Sequence, residues 1–68
     1  MYDYSKLKGK IAEVYGTQGA FAKAMNITKA SLSNKLRNKN FFKQDEIVVA
    51  MELLSIDNPT PYFFTKEV

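Results

Sequence analysis

The sequence predicts an all-α fold, a compact bundle of four to five helices, on three observations. Apolar residues recur at three- and four-residue spacing in successive segments, which is the period of a helix face and not the alternation of a strand. Residues that cap or stop helices separate those segments: Gly16, Thr17, Asn26, Thr28 and the pair Pro59 and Pro61. The chain has 68 residues, so residues 1–68 are expected to form one domain, which at this size buries only about 60% of its unfolded surface.

The first helix is expected to open near Asp3 or Ser5, either of which can cap, and to run to Tyr15, where Gly16 stops it. Tyr4, Leu7, Ile11 and Val14 form its predicted buried stripe. Lys6, Lys8 and Lys10 cannot share one face, so at most one or two of them reach a common partner.

From Thr17 to Asn38 two short helices fold across a tight turn. Phe21, Ala22 and Met25 share one face of the first, and Leu32 and Leu36 share one face of the second. Thr17 and Thr28 stand where a hydroxyl can accept from the free N–H groups of a first turn. Asn26 falls where the earlier helix must end, and Asn tolerates the left-handed conformation of such a stop. Ile27 turns inward between them. Two capped helices about three residues apart make a helix-turn-helix plan over about 17–37.

After the loop RNKNFF, a further helix is expected over Gln44 to Leu54, with Ile47, Ala50, Met51 and Leu54 inward. Asp45 and Glu46 sit in its first turn, where negative charge suits the helix dipole, and are read as helix-starting charge, not as catalytic carboxylates. Val48, Val49 and Leu53 widen the apolar surface beyond one face and call for cover. Pro59 or Pro61 can open one last short helical turn. Tyr62, Phe63 and Phe64 follow, and leaving a Phe-sized side chain in water costs roughly 1.5–3 kcal/mol. Two readings of these aromatics stay open: they close the core of the monomer, or part of them forms a dimer contact with a second copy. Val49, Leu53, Tyr62, Phe63 and Phe64 are the candidate protein interface.

The net charge of +3 conceals a division. From Ser5 to Lys43 nine basic residues face one acid, Glu13; from Gln44 onward five acids face Lys66 alone. A cationic part that contains the paired short helices is the electrostatic footprint of a phosphate-backbone partner. The chain has no Cys and no His, so it offers neither thiolate nor imidazole for metal binding or for catalysis near neutral pH. No nucleophile-and-base pair or phosphate-cradling glycine loop is present, and an enzyme is not expected. No apolar run approaches the roughly 20 residues of a membrane span, and no export signal opens the chain. The expected location is the cytoplasm of a bacterial host cell.

Gln18, Phe21, Ala22, Met25, Asn26, Ile27, Thr28, Ser31, Leu32 and Leu36 together resemble the helix-turn-helix signature of the phage repressor and Cro family. The opening YDYSKLKGKI and the late PYFF are also similar to small Cro-like proteins of phages and prophages of low-GC Gram-positive bacteria. Two positions depart from that pattern. Asn26 stands where the family usually has Gly, and Gly19 weakens the helix start by about 1 kcal/mol relative to Ala.

The resemblance implies a lambda repressor/Cro-like bundle whose second short helix enters a major groove. It places Lys29, Ala30, Ser33 and Asn34 at base-reading positions. Gln18, Thr28, Ser31, Lys35, Arg37, Asn38, Lys39 and Asn40 fall at phosphate-contact positions. The chemistry agrees: Lys donates to guanine O6/N7, Asn pairs with adenine N6/N7, and an Ala methyl packs on thymine. The leading expectation is a Cro-like repressor that binds double-stranded operator DNA sequence-specifically in a lysogeny switch, with a second copy reading the second half-site. The alternative is an antirepressor, or modulator of repression, that binds the phage repressor protein and blocks its DNA binding. Neither reading calls for a cofactor, a metal, a small-molecule substrate or a membrane.

Overall fold

A computed structural model describes residues 1–67; Val68, the last residue of the expected domain, lies outside the described residues. The elements are α1 (Ser5–Tyr15), α2 (Gln18–Ala24), α3 (Lys29–Leu36), α4 (Gln44–Leu54) and α5 (Thr60–Phe63). The all-α expectation holds. Helix α1 packs against α2, α4 and α5, while α3 packs against α2. The shared core is built from Leu7 and Ile11 of α1, Phe21 and Ala22 of α2, Leu32 and Leu36 of α3, Ala50 and Leu54 of α4, and Phe63 of α5.

The stripe of α1 differs from expectation at its last position, where Val14 is exposed and Tyr15 packs on Phe21 with ring centroids 5.3 Å apart. The helical period alone does not separate the two: at roughly 100° per residue, Val14 lies about 20° to one side of Leu7 and Tyr15 about 40° beyond Ile11. What distinguishes them is the neighbour, since Phe21 of α2 covers the Tyr15 side. The start of α1 is held by Asp3, whose Oδ1 accepts from the Ser5 hydroxyl at 2.6 Å and from the Ser5 N–H at 2.9 Å. Those two hydrogen bonds hold the Asp3 carboxyl below the ordinary aspartate value.

Helices α2 and α3 are positioned by the residues expected to cap them. Thr17 Oγ1 accepts from the Ala20 N–H at 3.1 Å, and Thr28 Oγ1 accepts from the Ser31 N–H at 3.0 Å. Between the helices Asn26 is left-handed at φ 60°; its N–H donates to Lys23 O and the Ile27 N–H to Ala22 O, both at 3.0 Å. This closes the free carbonyls of α2 and turns Ile27 back onto the core. Helix α3 ends the same way. Asn38, at φ 63°, donates its N–H to Lys35 O, and Lys39 donates to Asn34 O.

Segments near the two ends of the chain meet beside the end of α3. Tyr2 and Lys66 form an antiparallel bridge, and the Asp3 N–H donates to Thr65 O at 2.7 Å. The Asn38 side chain joins this pairing by accepting from the Tyr2 N–H at 2.8 Å and donating Nδ2 to Tyr2 O at 2.9 Å. Helix α5 starts where the Thr60 N–H donates to Asn58 Oδ1 at 3.1 Å, with Pro61 in its first turn. None of the described helices is long and apolar enough to cross a membrane.

Candidate functional site

Two surfaces of opposite character flank the core. The first is the outward side of α3 with its approaches. Lys29, Ala30 and Arg37 are exposed, Ser33 and Asn34 half-buried, and Arg37 Nη2 lies 3.4 Å from Asn34 Oδ1. Thr28 is exposed at the start of the helix, with Gln18 and Ser31 half-buried beside it. A shallow depression at the junction of α2 and α3 is lined by Lys23, Asn26, Thr28 and Lys29 among others. Lys39 and Asn40 are exposed in the following loop. Lys23, Lys29, Arg37 and Lys39 belong to neither of the two ion pairs found among the described residues, so this face is cationic.

Two residues expected to contact phosphate do not lie free on that face. Lys35 is only 6% exposed. Its ammonium sits 3.3 Å from Glu46 Oε1 and donates to Phe41 O at 3.3 Å. Glu46 Oε1 also accepts from the Lys43 N–H at 2.8 Å, so one carboxylate fixes the end of α3, the loop and the start of α4. Helical spacing accounts for the position, since Lys35 shares the inward side of α3 with Leu32 and Leu36. Asn38 is also committed elsewhere: both polar atoms of its amide are bound to the backbone of Tyr2.

The second surface lies on the outward side of α4 and beside α5. Val48 is 49% and Val49 40% exposed, and Phe64 is 46% exposed. Three adjoining depressions on this side all share Val48 in their walls. Of the residues expected at a protein interface, Val49 and Phe64 are therefore available. Phe63 is not, because at 2% exposure it closes the core, edge-on to Phe42 at 5.2 Å. Leu53 and Tyr62 are half-buried against that core, and the Lys6 ammonium stands 5.4 Å from the Tyr62 ring centroid. The aromatics thus divide: Phe63 belongs to the core and Phe64 to the surface. Phe41, in the loop before α4, is the most exposed aromatic, and its place in a polar loop carries no periodic signal to predict it.

Beside Phe41, an aromatic group of Tyr2, Tyr4, Phe42 and Phe63 sits between the termini and α4. Tyr4 stands edge-on to Phe42 with centroids 5.5 Å apart, and its burial, followed by the charge of Tyr2, pushes its phenol above the ordinary tyrosine value. Among the described residues no group of three or more acidic, His or Cys side chains is placed to hold a metal ion.

Comparison with known proteins narrows the possibilities. The family model described as "Protein of unknown function (DUF739)" matches residues 1–67. No curated protein matches the chain. Among solved structures, the chain is similar to the solution structure of the modulator of repression (MOR) of the temperate bacteriophage TP901-1 from Lactococcus lactis. The two are 44% identical with a TM-score of 0.78, over 93% of this chain and 86% of that one.

Proposed function

We propose that this chain, which belongs to the DUF739 family, is a modulator of phage repression that binds the repressor protein of its own phage and prevents it from holding operator DNA. The observation that carries this reading is the likeness to the modulator of repression of TP901-1, in sequence and in backbone, along nearly the whole of both chains. It reverses the order of the two readings drawn from sequence, since the helix-turn-helix resemblance alone favours a Cro-like repressor. A small all-helical module can serve either role, and fold alone does not decide function.

Direct DNA binding is the second reading, favoured by one observation: the cationic side of α3, where Lys29, Ala30 and Arg37 are exposed. A single titration separates the two. Repressor bound to fluorescent operator DNA is titrated with this chain, and the chain is titrated alone onto the same DNA. Release of the repressor, with a stoichiometric complex on size exclusion and no binding of the chain alone, is the expected result. Tight, sequence-selective binding of the chain itself that survives physiological salt would establish the Cro-like reading instead.

A further inference from the structure

We infer that the outward face of α4 is a docking surface for a cationic protein surface with an apolar centre, of the kind that a repressor uses to read DNA. This rests on the repressor-binding reading above and names the surface that would carry it. Asp45, Val48, Val49 and Glu52 are all exposed, and at 3.6 residues per turn they fall within about 100° of arc on α4, opposite the buried Leu54. Two carboxylates thus bracket two valines. Asp57, also exposed, adds a third carboxylate in the depression that Val48 shares with Met51 and Ile56. An adjoining depression, which shares Val48 and Met51 in its wall, reaches Pro59 and the exposed ring of Phe64.

Charge selects the occupant. From Gln44 to Thr65 the chain has four acids and no Lys, Arg or His. Glu46 is paired with Lys35, while Asp45, Glu52 and Asp57 take part in no ion pair among the described residues. A twofold contact with a second copy through this face would set carboxylates against carboxylates, which is unfavourable. A nucleic acid is repelled outright. A protein that reads DNA is itself cationic where it reads, because neutralising phosphates supplies a large share of its affinity. Its basic side chains would meet the acidic rim, and an apolar side chain would cover Val48 and Val49. Occupying that surface would also exclude operator DNA by competition for the same cations.

The test is isothermal titration of the repressor of the same phage with wild type, Asp45→Asn/Glu52→Gln, Val48→Ser, and Lys29→Ala/Arg37→Ala, at two salt concentrations, each variant first checked for helix content. The first two variants should weaken binding by about tenfold or more, and the charge variant should flatten the salt dependence. The α3 variant should bind like wild type. If wild type and the α4 variants bind equally and the α3 variant weakens, the docking surface is wrong while repressor binding stands. If wild type does not bind the repressor at all, both fall. Sedimentation of the chain alone supplies the other outcome: a dimer that Val48→Ser dissolves assigns the face to a second copy and overturns the inference.

Discussion

The side-chain amide of Asn38 closes on both backbone polar groups of Tyr2, at 2.8 and 2.9 Å, and so ties the end of α3 to the antiparallel bridge between Tyr2 and Lys66. Asn38 does this from a left-handed backbone at φ 63° that only Gly and Asn adopt readily. Two separable contributions follow. Asn38→Gly keeps the turn and loses the amide, for an expected loss of about 1–2 kcal/mol. Asn38→Ala loses the amide and strains the turn, for about 2–4 kcal/mol. Urea denaturation should rank wild type above Asn38→Gly and that above Asn38→Ala; equal stability of the two variants would show that the turn carries no strain.

Lys35 and Glu46 make the second tie. Their charged ends are 3.3 Å apart, with the side chains only 8% and 17% exposed, and the Lys43 N–H and Phe41 carbonyl complete the arrangement. Removing one partner from such a pair leaves the other with reduced hydration. Lys35→Ala is therefore expected to lose about 2–4 kcal/mol, whereas replacement of both residues by apolar ones of similar volume, Lys35→Met with Glu46→Leu, should recover part of that loss. Thermal unfolding of the single and double variants checks the ordering. A Lys35→Ala protein as stable as wild type would mean that the pair contributes nothing.

These two ties mark where the sequence was legible and where it was not. The helices followed from period and caps: Thr17 and Thr28 cap as expected, and Asn26 takes the left-handed stop. Lys35 is legible as an inward residue, since it shares the stripe of Leu32 and Leu36, whereas the family resemblance sets it at a phosphate-contact position; its burial follows the stripe. The link from Asn38 to Tyr2 spans 36 residues and leaves no local trace in either segment. Ser55 is left-handed at φ 54° without the Gly or Asn that would announce it. There the burial of Ile56, whose N–H donates to Met51 O at 2.8 Å, decides the backbone.

Tyr4 sets a response to alkaline pH. Burial disfavours the phenolate, so its pKa in the folded chain is raised above the ordinary value of 10.0. The stabilising contribution is then fully present below the unfolded value and is lost as pH rises through the folded one. Wild type should lose stability above about pH 10 more steeply than Tyr4→Phe, with little difference between them at neutral pH. Denaturant midpoints at pH 7, 9 and 11 report this directly; parallel profiles would show that other tyrosines govern the alkaline response.

Phe63 and Phe64 are neighbours in sequence with opposite roles. Phe63 is buried against Phe42, so Phe63→Ala removes a large core side chain at an expected cost of about 3–5 kcal/mol. A chain of 68 residues has roughly 3–10 kcal/mol of total stability, so that variant should be substantially unfolded at 37 °C. Phe64 is half exposed and touches Tyr2 edge-on at 6.3 Å, so Phe64→Ala should cost less than about 1 kcal/mol and keep the helical circular-dichroism signal. Its ring nevertheless walls the depression beside Val48. Phe64→Ala is therefore expected to weaken repressor binding while leaving the fold in place. A variant that unfolds would return Phe64 to the core. One that folds and binds at full strength would confine the docking surface to α4 itself.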